Sequence, residues 1–120
     1  MLKTTLVLGA STKPERFSNR AVRRLLANDI PVFPVGLREG EIEGIRIQRP
    51  FPIYFGIHTV TLYVGVQNQP IYYDYILYLK PKRVIFNPGT ENEEFEQILE
   101  EHGIETLRAC TLILLSIGEY

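Results

Sequence analysis

Lys3-Thr-Thr-Leu-Val-Leu8, then Gly9-Ala10-Ser11, then the loop Thr12-Lys13-Pro-Glu-Arg16-Phe17 and the stretch Ser18-Asn19-Arg-Ala-Val-Arg-Arg-Leu-Leu-Ala-Asn28, together decide the fold. The first segment is apolar and partly β-branched, as a strand requires. In the last, Ala21, Val22, Leu25 and Leu26 recur at helical spacing, and Ser18 stands where a helix cap is wanted. A strand ending in small residues and running into a helix with a polar first turn forms an anion cradle. The unpaired N–H groups of the helix start point above the turn, and the helix dipole favours negative charge there. The stretch therefore points to a phosphate-bearing, nucleotide-like ligand.

Working outward, four more strands are expected, at Pro31–Val35, Thr59–Val64, Arg83–Phe86 and Ile104–Ala109. Their nearly continuous apolarity suits strands covered on both faces. Helices are expected between them. Pro70–Leu79 is rich in tyrosine and isoleucine, which favour strands. Yet Pro70 suits a first helical turn, and Tyr72, Ile76 and Leu79 lie at i, i+4 and i+7, so we read a helix. Asn92–Glu101 opens with acids, carries an apolar edge at Phe95, Ile98 and Leu99, and stops at Gly103. A short helix over Thr111–Ser116 ends the chain. Gly36–His58 interrupts the alternation, and Glu41–Ile47 reads as a small hairpin or an extended flap. Alternating strands and helices mean a mainly parallel sheet with helices on both faces. The expected architecture is α/β: one Rossmann-like, three-layer αβα domain spanning residues 1–120, with five strands and a flap after the second. In such sheets ligands bind beyond the carboxyl ends of the strands, where the strand order reverses. Four glycine-containing turns, at Gly9, Gly36, Gly65 and Gly89, each follow an expected strand and would line that edge.

Composition narrows the function. With 120 residues there is room for one domain, and a net charge of -1 gives no electrostatic case for nucleic acid or acidic membranes. The single cysteine, Cys110, excludes an internal disulfide and fits a reducing cytoplasm. No signal-peptide pattern opens the chain, and no apolar run is long enough to span a bilayer.

A dinucleotide fingerprint would show G-x-G-x-x-G and an acid at the tip of the second strand. Here Gly9 is the lone glycine of the first turn, and Val35-Gly36-Leu37-Arg38 places a cation ahead of Glu39. A cation there suits a ligand with an extra phosphate on the adenosine ribose, as in NADP and coenzyme A. Lys13 and Arg16 add two further candidate phosphate partners near the cradle, against the plain reading of solvated loop charges.

The run Gly9-Ala-Ser-x-x-Pro14-x-Arg16-x-Ser18, followed by Val32-x-Pro34-Val35 and by Glu43-Gly44 with Pro50, resembles the small stand-alone CoA-binding proteins. Their fold is similar to the N-terminal CoA-binding domain of the succinyl-CoA synthetase α subunit. The likeness continues through Asn87-Pro-Gly-Thr-Glu-Asn92 and Cys110. It implies coenzyme A or an acyl-CoA as cofactor. Gly9, Ala10 and Ser11 would lie under the pyrophosphate, Ser18 and Asn19 would donate to it, and Phe17 would stand beside them. Val35, Gly36 and Arg38 would sit by the adenosine and its 3′-phosphate. Val64, Gly65 and Val66 would flank the pantetheine arm, with Asn87 and Pro88 across from it. The chain departs from many relatives at Gly36-Leu37 and in the turn Gly65-Val-Gln-Asn-Gln69.

No catalytic constellation stands out. His58 and His102 have no partners at metal spacing and read as structural or solvated. Cys110 reads as a buried, inert thiol, against a mixed-disulfide site near the ligand's sulfur. Tyr72, Tyr73, Tyr75 and Tyr78, with Phe51, Tyr54 and Phe55, form either core or an exposed aromatic patch for a homodimer. The expected role is non-catalytic binding of coenzyme A or an acyl-CoA. The alternative is an NADP-linked oxidoreductase or a ligase component acting with a partner subunit. Neither nucleic acid nor membrane is an expected partner.

Overall fold

Five parallel strands in the order β2-β1-β5-β6-β7 carry the molecule. They are β1 (Thr5–Leu8), β2 (Val32–Val35), β5 (Thr59–Leu62), β6 (Arg83–Phe86) and β7 (Glu105–Arg108). An antiparallel pair, β3 (Gly40–Ile42) and β4 (Ile45–Ile47), stands apart from them. The helices are α1 (Phe17–Ala27), α2 (Tyr73–Leu79), α3 (Glu93–Glu101) and α4 (Thr111–Ser116). The computed structural model describes residues 2–120. No helix among them is long and apolar enough to cross a membrane.

The two-residue period of the strands divides the core into two halves. Leu6 and Leu8, Val60 and Leu62, and Val84 and Phe86 face one side, where Tyr72, Tyr75, Ile76, Leu79, Phe95 and Leu99 cover them. These come from α2, α3 and the single turn of 3-10 helix, Pro70–Tyr72, that leads into α2. Val7 and Ile85 face the other side, against Val22 and Leu25 of α1 and the half-buried Leu114 and Leu115 of α4. Both faces are apolar because both are covered, which explains the near-continuous apolar runs in the sequence.

Several local expectations need correction. Ser18 does not cap α1: the helix begins at Phe17, Arg16 holds the cap position with extended backbone, and no side chain caps it. The third strand of the sheet stops at Leu62 rather than Val64, because the chain turns after Tyr63 to cross the sheet edge. Asn92 does cap α3, accepting a hydrogen bond from the Phe95 amide at 3.1 Å.

The interruption at Gly36–His58 is a true hairpin. Glu43 and Gly44 both have positive φ, at 51° and 79°, which matches the tight turn of a two-residue loop. Ile42 and Ile47 drop into the α1 side of the core. The chain after β4 lies along β2: the Gly36 amide donates to the Gln48 carbonyl, and the Gln48 amide to that of Pro34, both at 3.0 Å. This covers an otherwise open sheet edge.

The aromatic residues divide between the two roles considered for them. Tyr72 and Tyr75 are core, and Tyr73 stacks on Phe95 at 4.1 Å between ring centres. Phe51, Phe55 and Tyr78 are exposed. Ile53, Tyr54, Phe55 and Tyr78 line an open hollow of about 530 Å³ at the amino-terminal end of the strands.

Candidate functional site

The strand order reverses between β1 and β5. From β1 the chain first moves outward to β2, then returns to the other side of β1. The carboxyl ends of β1 and β5 therefore open a crevice, and Gly9 forms its floor. Its φ of +97° is closed to most side chains, and a Cβ there would stand 2.8 Å from the Tyr63 carbonyl oxygen. Gly36 is held for the same reason of space: a Cβ on it would run into the Ala10 carbonyl. Glycine at both positions lets three chain segments meet at one edge.

The amides of Gly9 and Ala10 both donate to the Val35 carbonyl, each at 2.9 Å. They lock the first turn to the end of β2, so those two residues shape the cradle and their N–H groups are spent. The free donors lie further on. Among the described residues, the backbone N–H groups of Ser11, Phe17, Ser18 and Asn19 have no protein partner. Three of these belong to the first turn of α1, where the dipole adds positive potential.

The loop between is fastened by side chains. Asn19 donates to the Ser11 carbonyl at 2.9 Å and accepts from Arg23 Nε at 2.8 Å, and Arg23 also donates to the Pro14 carbonyl at 2.9 Å. Ser11 Oγ accepts from the Lys13 amide at 3.1 Å. Asn19 thus holds the loop with its side chain and presents only its backbone N–H outward. Lys13, Arg16 and Arg38 are exposed around this turn, and Phe17 is exposed with the Arg20 guanidinium 5.4 Å from its ring centre.

Across the crevice, Val64 and Gly65 are half-buried and Val66 is exposed. Gln69 fixes this segment: its side-chain amide donates to the carbonyls of Val64 and Thr90 at 2.9 and 2.7 Å, and its oxygen accepts from Asn92 at 2.9 Å. Nothing in the sequence marked Gln69, since an isolated glutamine in a loop reads as solvated. Asn87 is likewise a framework residue. It donates to Thr61 Oγ1 and the Leu62 carbonyl at 2.7 and 2.8 Å and accepts from the Thr111 amide at 2.9 Å. It thereby binds the ends of β5 and β6 to the start of α4. Pro88, beside it, is exposed.

A small cavity of about 120 Å³ opens between these ends, lined by Phe17, Tyr63, Asn87, Pro88, Cys110 and Leu112. Cys110 is half-buried at the start of α4 rather than sealed in the core as its residue type suggested. The Tyr63 hydroxyl is buried against the Thr61 and Thr111 hydroxyls, out of reach of solvent, and makes no hydrogen bond of good geometry. Burial pushes its pKa up to about 12, and the nearby hydroxyls of Thr61 and Thr111 offset part of that rise. Those two hydroxyls are bonded to each other at 2.8 Å.

A solved structure of an uncharacterized protein is similar at 50% identity, covering 100% of this chain and 99% of the other, with a TM-score of 0.97. A hypothetical protein from Pyrococcus horikoshii is similar at 26% identity over 98% of this chain and 84% of that one, TM-score 0.84. A Thermus thermophilus protein at 24% identity, covering 99% of this chain and 91% of its own, shares the fold with a TM-score of 0.80. No curated protein matches. The family model described as CoA binding domain matches residues 3–116, and the chain belongs to that family.

Proposed function

We propose that the protein binds coenzyme A or an acyl-CoA and performs no covalent chemistry on it by itself. The observation that carries the reading is the free-amide cradle of Ser11 and the first turn of α1, set at the reversal of strand order in a CoA-binding-family chain. The diphosphate takes those N–H groups, which need an anion or water for satisfaction. Lys13 and Arg16 supply mobile positive charge at its rim. Val35 and Gly36 bound the adenosine end, and Arg38 meets the 3′-phosphate. Val64, Gly65 and Val66 form one wall for the pantetheine arm, and Pro88 the other. The cavity at Tyr63 offers an uncharged end-point. Gly9, Ala10, Asn19 and Asn87 act through the frame, holding the shape that the ligand enters.

Calorimetric titration with coenzyme A, its dephospho form lacking the 3′-phosphate, and NADPH tests this. Coenzyme A binds, the dephospho form binds about fivefold more weakly through the loss of an exposed charge contact worth about 1 kcal/mol, and NADPH binds less well than coenzyme A. Absence of heat with coenzyme A at millimolar concentration, from a folded sample, overturns the reading.

A further inference from the structure

The crossover from β2 to β5 is built unlike the others. The steps from β1 to β2, β5 to β6 and β6 to β7 each pass through a helix. Between β2 and β5 the described residues hold only the hairpin and then irregular chain over residues 50–57. The α2 side of β2 is therefore covered by rings instead of a helix. Tyr54 stacks on Phe33 of β2 at 4.3 Å between ring centres, and Phe51 meets Tyr72 and Tyr75 edge-on at 5.8 and 5.3 Å. The Tyr75 hydroxyl ties this run to α2 by donating to the Pro52 carbonyl at 2.5 Å.

A single layer of rings leaves its outer surface in water. Phe51 is 51% exposed, Ile53 50%, Tyr78 60% and Phe55 92%. At about 150–250 Å² for a whole aromatic side chain, these four residues present roughly 500 Å² of mainly apolar surface. A contiguous patch of that size on a soluble protein is often functional. A standard interface takes about 800 Å² from each partner, roughly 60% of it apolar, so this patch alone meets the apolar share.

The shape of the patch selects the partner. Phe55 stands out from the surface, and beside it Ile53, Tyr54, Tyr78 and Leu79 wall the open hollow of about 530 Å³. A cavity of about 150 Å³ already holds a benzene ring, so a phenyl side chain has room there. A protruding ring next to a hollow that admits a ring is self-complementary. Under a two-fold axis each Phe55 enters the hollow of the other copy, both contacts form at once, and the assembly closes at two. The lining carries one charge, Lys80, and a lysine stem lies along apolar surface while its ammonium stays in water.

We propose that this face is the interface of an isologous homodimer, in which Phe55 of each copy seats in the hollow between residues 53–56 and the end of α2 of the other. The hollow lies at the amino-terminal ends of the strands and the ligand crevice at their carboxyl ends, so the pair leaves the crevice open and the inference stands apart from the coenzyme A reading.

Analytical ultracentrifugation of the full chain from ~1 to ~200 µM tests it, a range that covers weak and firm interfaces of this size. At the upper end the wild type sediments at twice the 13.8 kDa of one chain. Phe55→Asp places a charge in a dry apolar seat and sediments as a monomer throughout. Phe55→Ala raises the dissociation constant at least about a hundredfold, because a symmetric pair loses the ring twice. Ile113→Asp, on α4 at a residue 58% exposed, leaves the pair intact. Thermal melting verifies folding of each variant, and Tyr78→Asp, in the wall of the hollow, carries the same expectation as Phe55→Asp if that variant does not fold. A wild type that stays monomeric at the highest concentration, assemblies larger than two, a pair that survives Phe55→Asp in a folded sample, or one that Ile113→Asp breaks, overturns the interface.

Discussion

Substituting Gly9 by alanine separates the two reasons the structure gives for glycine there. The first is backbone conformation: a φ of +97° costs an L-residue about 1–2 kcal/mol. The second is space: the new Cβ would lie 2.8 Å from the Tyr63 carbonyl oxygen and 3.0 Å from its carbon. Both are backbone atoms of the crevice wall, so relief requires β1 and β5 to part at their carboxyl ends. Overpacking of that kind costs about 1–3 kcal/mol. The sum, about 2–5 kcal/mol, is a large share of the ~5–15 kcal/mol that holds an average domain together. At about 4 °C per kcal/mol for this size, Gly9→Ala lowers Tm by about 8–20 °C. Gly103 supplies the comparison, since its φ is +76° but its Cβ would meet nothing within 4 Å. Gly103→Ala therefore carries the conformational cost alone, about 4–8 °C. Gly36→Ala, with no positive φ but a Cβ that collides with the Ala10 carbonyl, isolates the clash. Differential scanning calorimetry of the three, with coenzyme A titrated into each below its transition, gives the result. A Gly9→Ala protein that melts with Gly103→Ala, and still binds ligand as the wild type does, refutes the claim that close approach at the crevice floor shapes the site.

Four other perturbations follow from the same geometry. Asn87→Ala strands the Thr111 amide and the Leu62 carbonyl and should cost about 3 kcal/mol in urea unfolding, although no charge is lost. Tyr120→Ala removes a ring that lies 4.5 Å from the buried Arg83 guanidinium and whose hydroxyl meets Thr5, so a loss of about 3–5 kcal/mol is expected in the same assay. Tyr63→Phe deletes a buried hydroxyl that makes no well-formed hydrogen bond, so the protein should gain up to about 1 kcal/mol by chemical denaturation. Burial, with Arg83, Lys3 and Lys82 nearby, depresses the His58 pKa below its ordinary 6.5. The folded protein therefore resists protonation there, so stability is full above about pH 6.5 and falls as pH drops through the interval down to the folded value. His58→Asn should flatten that part of a Tm-against-pH curve, and an unchanged slope would dismiss the contribution.

The sheet, its helices and the hairpin were legible because each rests on a local signal. Strand residues were apolar on both faces, α1 and α3 showed apolar stripes at helical spacing, and Glu43-Gly44 is a turn pair. The Pro70–Leu79 segment was legible for a less local reason: its tyrosines favour a strand, but a parallel crossover needs a helix, and Tyr72, Ile76 and Leu79 do face the core. What the sequence could not show was which polar groups remain free after folding. Gly9 and Ala10 were expected to lie under the pyrophosphate, and the sequence gives no sign that their amides are consumed by Val35, a residue 25 or more positions away. Ser18 looks like a cap, yet the helix starts one residue before it. Gln69 bonds the Val64 and Thr90 carbonyls, and Asn87 the Thr61 hydroxyl and the Leu62 carbonyl, ties that no local pattern announces.

That contrast bears on how the site works. The spent groups and the free ones are sorted by element. The Gly9 and Ala10 amides, held by the Val35 carbonyl, and the side chains of Asn87 and Gln69 are consumed in holding the strand ends together. The N–H groups left free at the crevice are those of Ser11 and of the first turn of α1. A frame whose strand ends are tied in this way while the cradle amides stand free is preorganised, so the ordering cost on binding falls mainly on the ligand. Loosening the frame without touching the free groups should therefore weaken binding by slowing no contact and removing none, but by raising the share of molecules in which the two ends are out of register. Asn87→Ala tests this separately from stability. Its affinity loss for coenzyme A should exceed what its unfolded fraction explains, because Asn87 ties β6 to α4 along the edge where the ligand lies. An affinity loss no larger than the unfolded fraction accounts for would show instead that Asn87 serves stability alone.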